Sequence, residues 1–129
     1  MKKVIPMLTI ILLLGISPLS FEALASNKDE LNEFLKTIHS SNYQEFKNAT
    51  GNIRTSIKYQ DLKQLLKEEG ILNSISESTY RNPNINPETN IYFYASWKEL
   101  DKQFLFKYAI YDSKSKKILV SGSHTKTKK

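Results

Sequence analysis

Three closely spaced runs, residues 91–97, 104–111 and 118–125, constrain this chain more than anything else in it. In the first, Ile91, Phe93, Ala95 and Trp97 fall on one side and Tyr92, Tyr94 and Ser96 on the other, because side chains alternate along an extended strand. The second repeats the alternation, with Phe104, Phe106, Tyr108 and Ile110 set against Leu105, Lys107, Ala109 and Tyr111. The third is weaker: Ile118, Val120 and Gly122 alternate with Leu119, Ser121 and Ser123. Polar connections at 98–102 and 112–116 are short enough for hairpins. Aromatic-rich runs joined this way predict a curved antiparallel sheet with one buried face.

The residues before the sheet read as helices. Asp29 and Glu30 stand three residues beyond Ser26 and Asn27 in capping register, and Leu31, Phe34, Leu35 and Ile38 make one apolar stripe. The spacing predicts a helix over 28–39. Ser40-Ser41-Asn42 ends it and caps a second, shorter helix carrying Tyr43, Phe46 and Ala49, which Gly51 and Asn52 stop. After a connector at 53–56, a third helix begins near Ile57 with Tyr59, Leu62, Leu65 and Leu66 inward, and Gly70 takes its left-handed end. Residues 71–80 lose the helical period and predict a first strand. Arg81 to Pro87, with two prolines and three asparagines, predicts an exposed loop. The fold class is therefore α+β, with N-terminal helices packed on a curved antiparallel sheet of about four strands.

Lys2 and Lys3 precede an apolar run, Val4 to Ile16, and Ala23-Leu24-Ala25 supplies small residues of the kind a signal peptidase reads. Residues 1–25 are expected to be a signal peptide and 26–129 a single domain, exported to a periplasm or beyond the cell. The apolar run is short for the roughly 20 residues of a spanning helix. The chain has no cysteine, which excludes disulfides, thiol chemistry, Cys-based metal sites and lipid attachment through cysteine. Its formal charge of +6 is unevenly placed. Beyond Asp112 there is no acid, while Lys114, Lys116, Lys117, Lys126, Lys128 and Lys129 follow. A basic terminus of this kind is drawn to an acidic partner or surface, or serves as a solvated tail. The residues after His124 are expected to fray.

The order of helices, glycine, strand, proline-containing loop and three antiparallel strands, with Leu31-Asn32-Glu33-Phe34-Leu35, Ser41-Asn42-Tyr43-Gln44-Glu45-Phe46 and Leu65 to Gly70, resembles small exported bacterial domains of the cystatin-like fold. These are the nuclear-transport-factor-two-like proteins, many of them in families of unknown function. The resemblance spans nearly all of residues 26–129. It implies helices packed on a strongly bent sheet with a conical pocket between them. Gly122-Ser123-His124 departs from the more aromatic closing strand of some exported families. Members of the fold include enzymes, ligand binders and scaffolds, so the resemblance leaves function open.

His39 and His124 are the only histidines, and neither has the spacing of a metal or catalytic site. No cofactor motif is present. Asp61, Glu68 and Glu69 lie on the third predicted helix, where a pocket acid would make a small hydrolase or isomerase, but a solvated face is the stronger account of them. Asn48-Ala49-Thr50 fits a glycosylation acceptor, without meaning in a bacterial host. No nucleic-acid motif accompanies the aromatics and lysines. The aromatics are the candidate contact residues: Tyr92, Tyr94, Trp97, Phe106, Tyr108 and Tyr111. Phe106, Tyr108 and Trp97 are expected toward the helices or cone, and Tyr92, Tyr94 and Tyr111 on the opposite face, where they form core or an exposed patch suited to a partner or a homodimer. The expected function is a non-enzymatic binding domain for a protein or a small apolar ligand. An inhibitor or immunity protein, and a pocket-carboxylate enzyme, are the alternatives.

Overall fold

The computed structural model describes residues 18–128, with side chains from residue 28 onward. The apolar run of the expected signal peptide lies outside the described residues. The chain is α+β. A helix, α1 (Pro18–Thr37), is followed by β1 (Gly51–Lys58), a 3-10 turn (Tyr59–Asp61), α2 (Leu62–Glu68), a second 3-10 turn (Leu72–Ser74), the one-turn α3 (Glu77–Tyr80), β2 (Asn90–Glu99), β3 (Gln103–Asp112) and β4 (Ile118–Thr127). The strands form one antiparallel sheet in the order β1-β2-β3-β4.

The aromatic strands lie where the alternation puts them, and their register sets the faces. Ile53 pairs with Ala95, Phe93 with Ile110, Trp97 with Phe106, and Ile110 with Val120. On that face Ile53, Ile91, Phe93, Ala95, Phe106 and Ile110 pack with Tyr59, Leu62, Leu66, Ile71 and Ile75. Tyr59 ties the covering segment together: its hydroxyl donates to the Thr79 carbonyl and accepts from the Asn82 N–H (2.8 Å). Gly70 closes α2 with φ +75°, as its place after the helix requires.

The upstream elements differ from expectation in three places. The predicted second helix is absent, and residues 43–49 are irregular, with a turn only at 47–48. Tyr43 is driven into the core beneath α1, and the Phe46 N–H donates to the buried Ser96 Oγ (3.0 Å), so the backbone follows the sheet and cannot coil. The predicted connector at 53–56 belongs to β1, where Ile53, Thr55 and Ile57 alternate with Arg54, Ser56 and Lys58, so the helix expected from Ile57 begins instead at Leu62, after the first 3-10 turn. The expected strand at 71–80 is instead the second 3-10 turn and α3. Ile71 and Ile75, four residues apart, are buried together, and Ser76 leads into α3 with extended backbone. The sheet has four strands, but its first is residues 51–58.

The largest correction concerns layers. A sheet with one buried face was expected, and both faces are covered. α1 lies across the second face, where Leu31, Phe34, Leu35 and Ile38 pack with Tyr43, Tyr92, Tyr94, Ala109 and Tyr111. Arg54 clamps this side, giving two 2.7 Å bonds to the Glu45 carboxylate and one of 3.0 Å to Asn32 Oδ1 on α1. The C-terminal strand also runs further than expected: β4 pairs through Thr127 with Gln103, so residues 125–127 are not frayed.

Candidate functional site

The tyrosines of the second face form a buried cluster. Tyr92 and Tyr111 are opposite one another in the β2–β3 register, and Tyr94 faces Ala109, whose small side chain leaves room for rings on either side. Phe34 comes down from α1 between them, 5.6 Å from Tyr92 and 5.0 Å edge-on to Tyr111, and Tyr43 closes the cluster 5.9 Å from Tyr94. Tyr92, Tyr94 and Tyr111 retain 3%, 0% and 4% of their exposure, so they present no patch to a partner.

Their hydroxyls are unevenly satisfied. Tyr94 donates to the Leu31 carbonyl of α1 (2.8 Å), and the Tyr92 oxygen receives the Lys116 amine (3.2 Å), which also lies over the Tyr92 ring. The Tyr43 and Tyr111 hydroxyls are buried with no hydrogen-bond partner among the described residues. Burial pushes the phenols of Tyr43, Tyr94 and Tyr111 up from their ordinary range. These are neutral groups at any physiological pH and offer no acid or base.

The remaining candidates lie on the first face. Phe106 is buried, stacked between Phe104 and Trp97 at 6.3 Å from each, with Tyr108 beside it at 6.1 Å. Trp97 and Tyr108 are half-buried, and each lies over a glycine directly opposite in the register: Trp97 over Gly51 and Tyr108 over Gly122. A Cβ at Gly51 would stand 2.3 Å from the indole, and one at Gly122 would stand 2.7 Å from the Tyr108 hydroxyl. Both glycines exist to admit a ring, which is a packing role. The Tyr108 hydroxyl also meets Thr79 Oγ1 (3.2 Å), fixing the covering segment to the sheet.

The other sequence candidates are peripheral. Asp61, Glu68 and Glu69 are exposed, Glu68 accepting from Gln64 Nε2 (3.1 Å). His39 organises a turn, its Nδ1 accepting from the Ser41 N–H (3.1 Å), and His124 is exposed on β4. Among the described residues no cluster of His, Asp or Glu is arranged to hold a metal, and no helix is long and apolar enough to cross a membrane.

What faces solvent without a partner is β4 and the hairpin leading to it. β4 is an edge strand, bonded only to β3, and Leu119, Ser121, Ser123, Thr125 and Thr127 are exposed. Asp112 builds the turn: its carboxylate accepts from the N–H groups of Ser115 (3.0 Å) and Lys114 (2.8 Å), which hold it below the ordinary carboxylate range. Lys116 follows in the left-handed region at φ +64°. Lys114, Lys117 and Lys126 have no carboxylate within salt-bridge distance among the described residues, while Lys128 reaches Glu99 at 3.4 Å.

Beside this edge, on the α1 side, is an open groove of about 270 Å³ lined by Ser40, Ser41, Asn42, Tyr43, Gln44, Lys107, Ser121, Gly122 and Ser123. Lys107 spans its wall, the amine 4.2 Å over the Phe46 ring and donating to the Gln44 carbonyl (3.3 Å). The groove is polar, not the apolar cone that the fold resemblance implied. The acid-free run of lysines was the sequence signal for this region. The groove had none, because its two walls are about 80 residues apart in the chain and meet only through the sheet.

Comparison of the chain with family models, curated proteins and solved structures finds no match.

Proposed function

We propose that this chain is an exported, non-enzymatic binding domain that engages an acidic protein partner through β4 and the basic β3–β4 hairpin. The observation that carries the reading is the pairing of an open strand edge with three lysines, Lys114, Lys117 and Lys126, that form no salt bridge among the described residues. An edge of this kind offers backbone donors and acceptors, and the lysines add a field that attracts negative charge and rejects positive. The buried tyrosine cluster serves as the second core that holds α1 on the sheet. The exposed positions of Asp61, Glu68 and Glu69 lend no support to a pocket-carboxylate enzyme.

The test is retention of proteins from the host's exported fraction on immobilised residues 26–129, compared with a variant carrying Lys114→Glu, Lys117→Glu and Lys126→Glu. The expected outcome is an acidic protein held by the wild type, released by salt and lost by the variant. Equal retention by both chains overturns the reading. A retained partner that is an enzyme and loses activity in the complex makes the domain an inhibitor or immunity protein using the same surface.

A further inference from the structure

The direction of the free backbone groups on β4 narrows what kind of segment can bind there. The Lys128 N–H donates to the Lys102 carbonyl (2.9 Å), just beyond the Gln103–Thr127 pair. Hydrogen-bonded and non-bonded pairs alternate along an antiparallel ladder. Lys126, His124 and Gly122 therefore turn their backbone groups toward β3, opposite Phe104, Phe106 and Tyr108. The β2–β3 hairpin agrees: the Leu100 N–H donates to the Gln103 carbonyl (2.8 Å), which turns the odd-numbered residues of β3 toward β2 and the even-numbered ones toward β4. Ser121, Ser123, Thr125 and Thr127 are left with N–H and C=O groups pointing away from the sheet, at the spacing another strand needs.

We infer that β4 accepts an extended acidic polypeptide segment as a fifth strand, with one of its carboxylate side chains seated in the groove beside Lys107. This rests on the binding-domain reading and specifies its partner. The edge is long, 10 residues, and carries no proline. Its one irregularity, the bulge that sets Tyr111 against Ile118 and Ile110 against Val120, lies at its start and leaves 120–127 in continuous register. Side chains of an added strand alternate between faces, so those on the α1 side pass over Ser121 and Ser123 into the groove. There the Lys107 amine is held by a carbonyl and a ring face and forms no salt bridge among the described residues, in a lining of hydroxyls and amides that donate to an anion.

Charge selects the occupant. A second copy added antiparallel would bring Lys126 and Lys128 of each strand to the Lys117 end of the other. Like charges directly opposed destabilise a ladder. An acidic segment meets the same lysines favourably.

The experiment is amide hydrogen exchange by NMR on residues 26–129 with millimolar synthetic octapeptides: alternating Thr-Glu, alternating Thr-Gln, and Thr-Glu N-methylated at every residue. Strand addition predicts an alternating footprint. The amides of Ser121, Ser123, Thr125 and Thr127 slow by at least about tenfold with the Thr-Glu peptide, while those of Gly122, His124 and Lys126, already bonded to β3, do not change. The Thr-Gln peptide binds about tenfold more weakly, and Lys107→Gln removes most of that preference. The N-methylated peptide leaves the footprint absent. Ser123→Pro removes an outward donor and abolishes the footprint at unchanged circular dichroism, with Thr125→Pro as a second variant should the first not fold.

No change with any peptide, equal binding of the N-methylated peptide, or contiguous rather than alternating protection overturns strand addition. An alternating footprint that grows with protein concentration in the absence of peptide makes the occupant a second copy and overturns the acidic segment. Salt-sensitive partner capture that is lost on lysine reversal, with β4 amides unprotected, leaves the binding-domain reading standing and removes this inference alone.

Discussion

Replacing the buried tyrosines by phenylalanine separates hydroxyls that stabilise the fold from hydroxyls that cost it. Tyr94 is fully buried and donates to the Leu31 carbonyl at 2.8 Å, tying β2 to α1. Tyr111 and Tyr43, each 4% exposed, bury their hydroxyls without a partner among the described residues. Phenylalanine keeps each ring and its apolar contacts, so the difference lies in the oxygen. Losing a typical hydrogen bond costs about 1 kcal/mol, whereas relieving an unpaired buried hydroxyl returns about 1 kcal/mol or more. Tyr94→Phe and Tyr111→Phe should therefore differ by about 2 kcal/mol in opposite directions. For a domain of this size that is a separation of roughly 10 °C in Tm. Urea titration followed by circular dichroism, with thermal melts as a second measure, reads it directly. A Tyr43→Phe or Tyr111→Phe chain that loses about 1 kcal/mol or more refutes the assignment of that hydroxyl as unpaired.

The glycines under the aromatics make a second test. Gly122→Ala puts a methyl 2.7 Å from the Tyr108 hydroxyl and 2.9 Å from its ring, and should cost about 1 kcal/mol, since the half-buried ring can swing outward. Gly51→Ala meets the Trp97 indole at 2.3 Å and should cost more, about 2–3 kcal/mol. The molecule has a single tryptophan, so its fluorescence should shift in Gly51→Ala and remain unchanged in Gly122→Ala. The pH dependence follows from the buried phenols. Tyr43 and Tyr94 are raised in the folded chain, mainly by desolvation, so they stay protonated while the unfolded chain ionises from about pH 10 upward. Stability is fully present below that pH and falls above it, by about 1.4 kcal/mol per tyrosine one unit higher. Ionisation of Tyr43 and Tyr94, followed by the NMR resonances of their rings, should coincide with alkaline unfolding, and phenolate at either residue in a folded chain at pH 10 to 11 would contradict the burial of that ring.

How far the sequence spoke for the fold depended on whether a pattern had a competitor. β2 and β3 were legible because aromatic alternation over seven or eight residues fits no helix, and Gly70 because a helix end wants a left-handed residue. β1 was hidden because Ile53, Thr55 and Ile57 are separated by Arg54 and Ser56, an edge strand whose outer residues read as a polar connector. Residues 71–80 misled in the other direction: their isoleucines and threonine favour strands, but Ile71 and Ile75 are buried on one side of two short turns, a tertiary outcome that overrides propensity. The candidate site failed for a related reason. Tyr92, Tyr94 and Tyr111 were placed correctly on one face, yet whether that face is open depends on α1. The apolar stripe of Leu31, Phe34, Leu35 and Ile38 predicts a buried helix without saying which face of the sheet it covers.

With both faces occupied, recognition by the sheet is left to its two edges, and these are not equivalent. β1 is guarded by charges already satisfied: Arg54 is chelated by Glu45 and bonded to Asn32, and Lys58 meets Glu88 at 2.9 Å. A segment approaching there would have to break those pairs, and it would meet the end of α1 and the loop that follows. β4 carries lysines of one sign, a polar groove alongside and no acid after Asp112. Lysines on an edge strand discourage pairing with neutral or basic strands, and the same residues favour an acidic one, so the feature that keeps copies of this chain apart is the one that would admit its partner. Adding charge of the wrong sign should show the coupling. With Lys117→Glu before β4 and Lys126→Glu within it, the acidic peptide is rejected, while the carboxylate at position 117 now meets the Lys128 end of a second copy's strand. The substituted chain should therefore associate with itself more readily as it loses its acidic ligand.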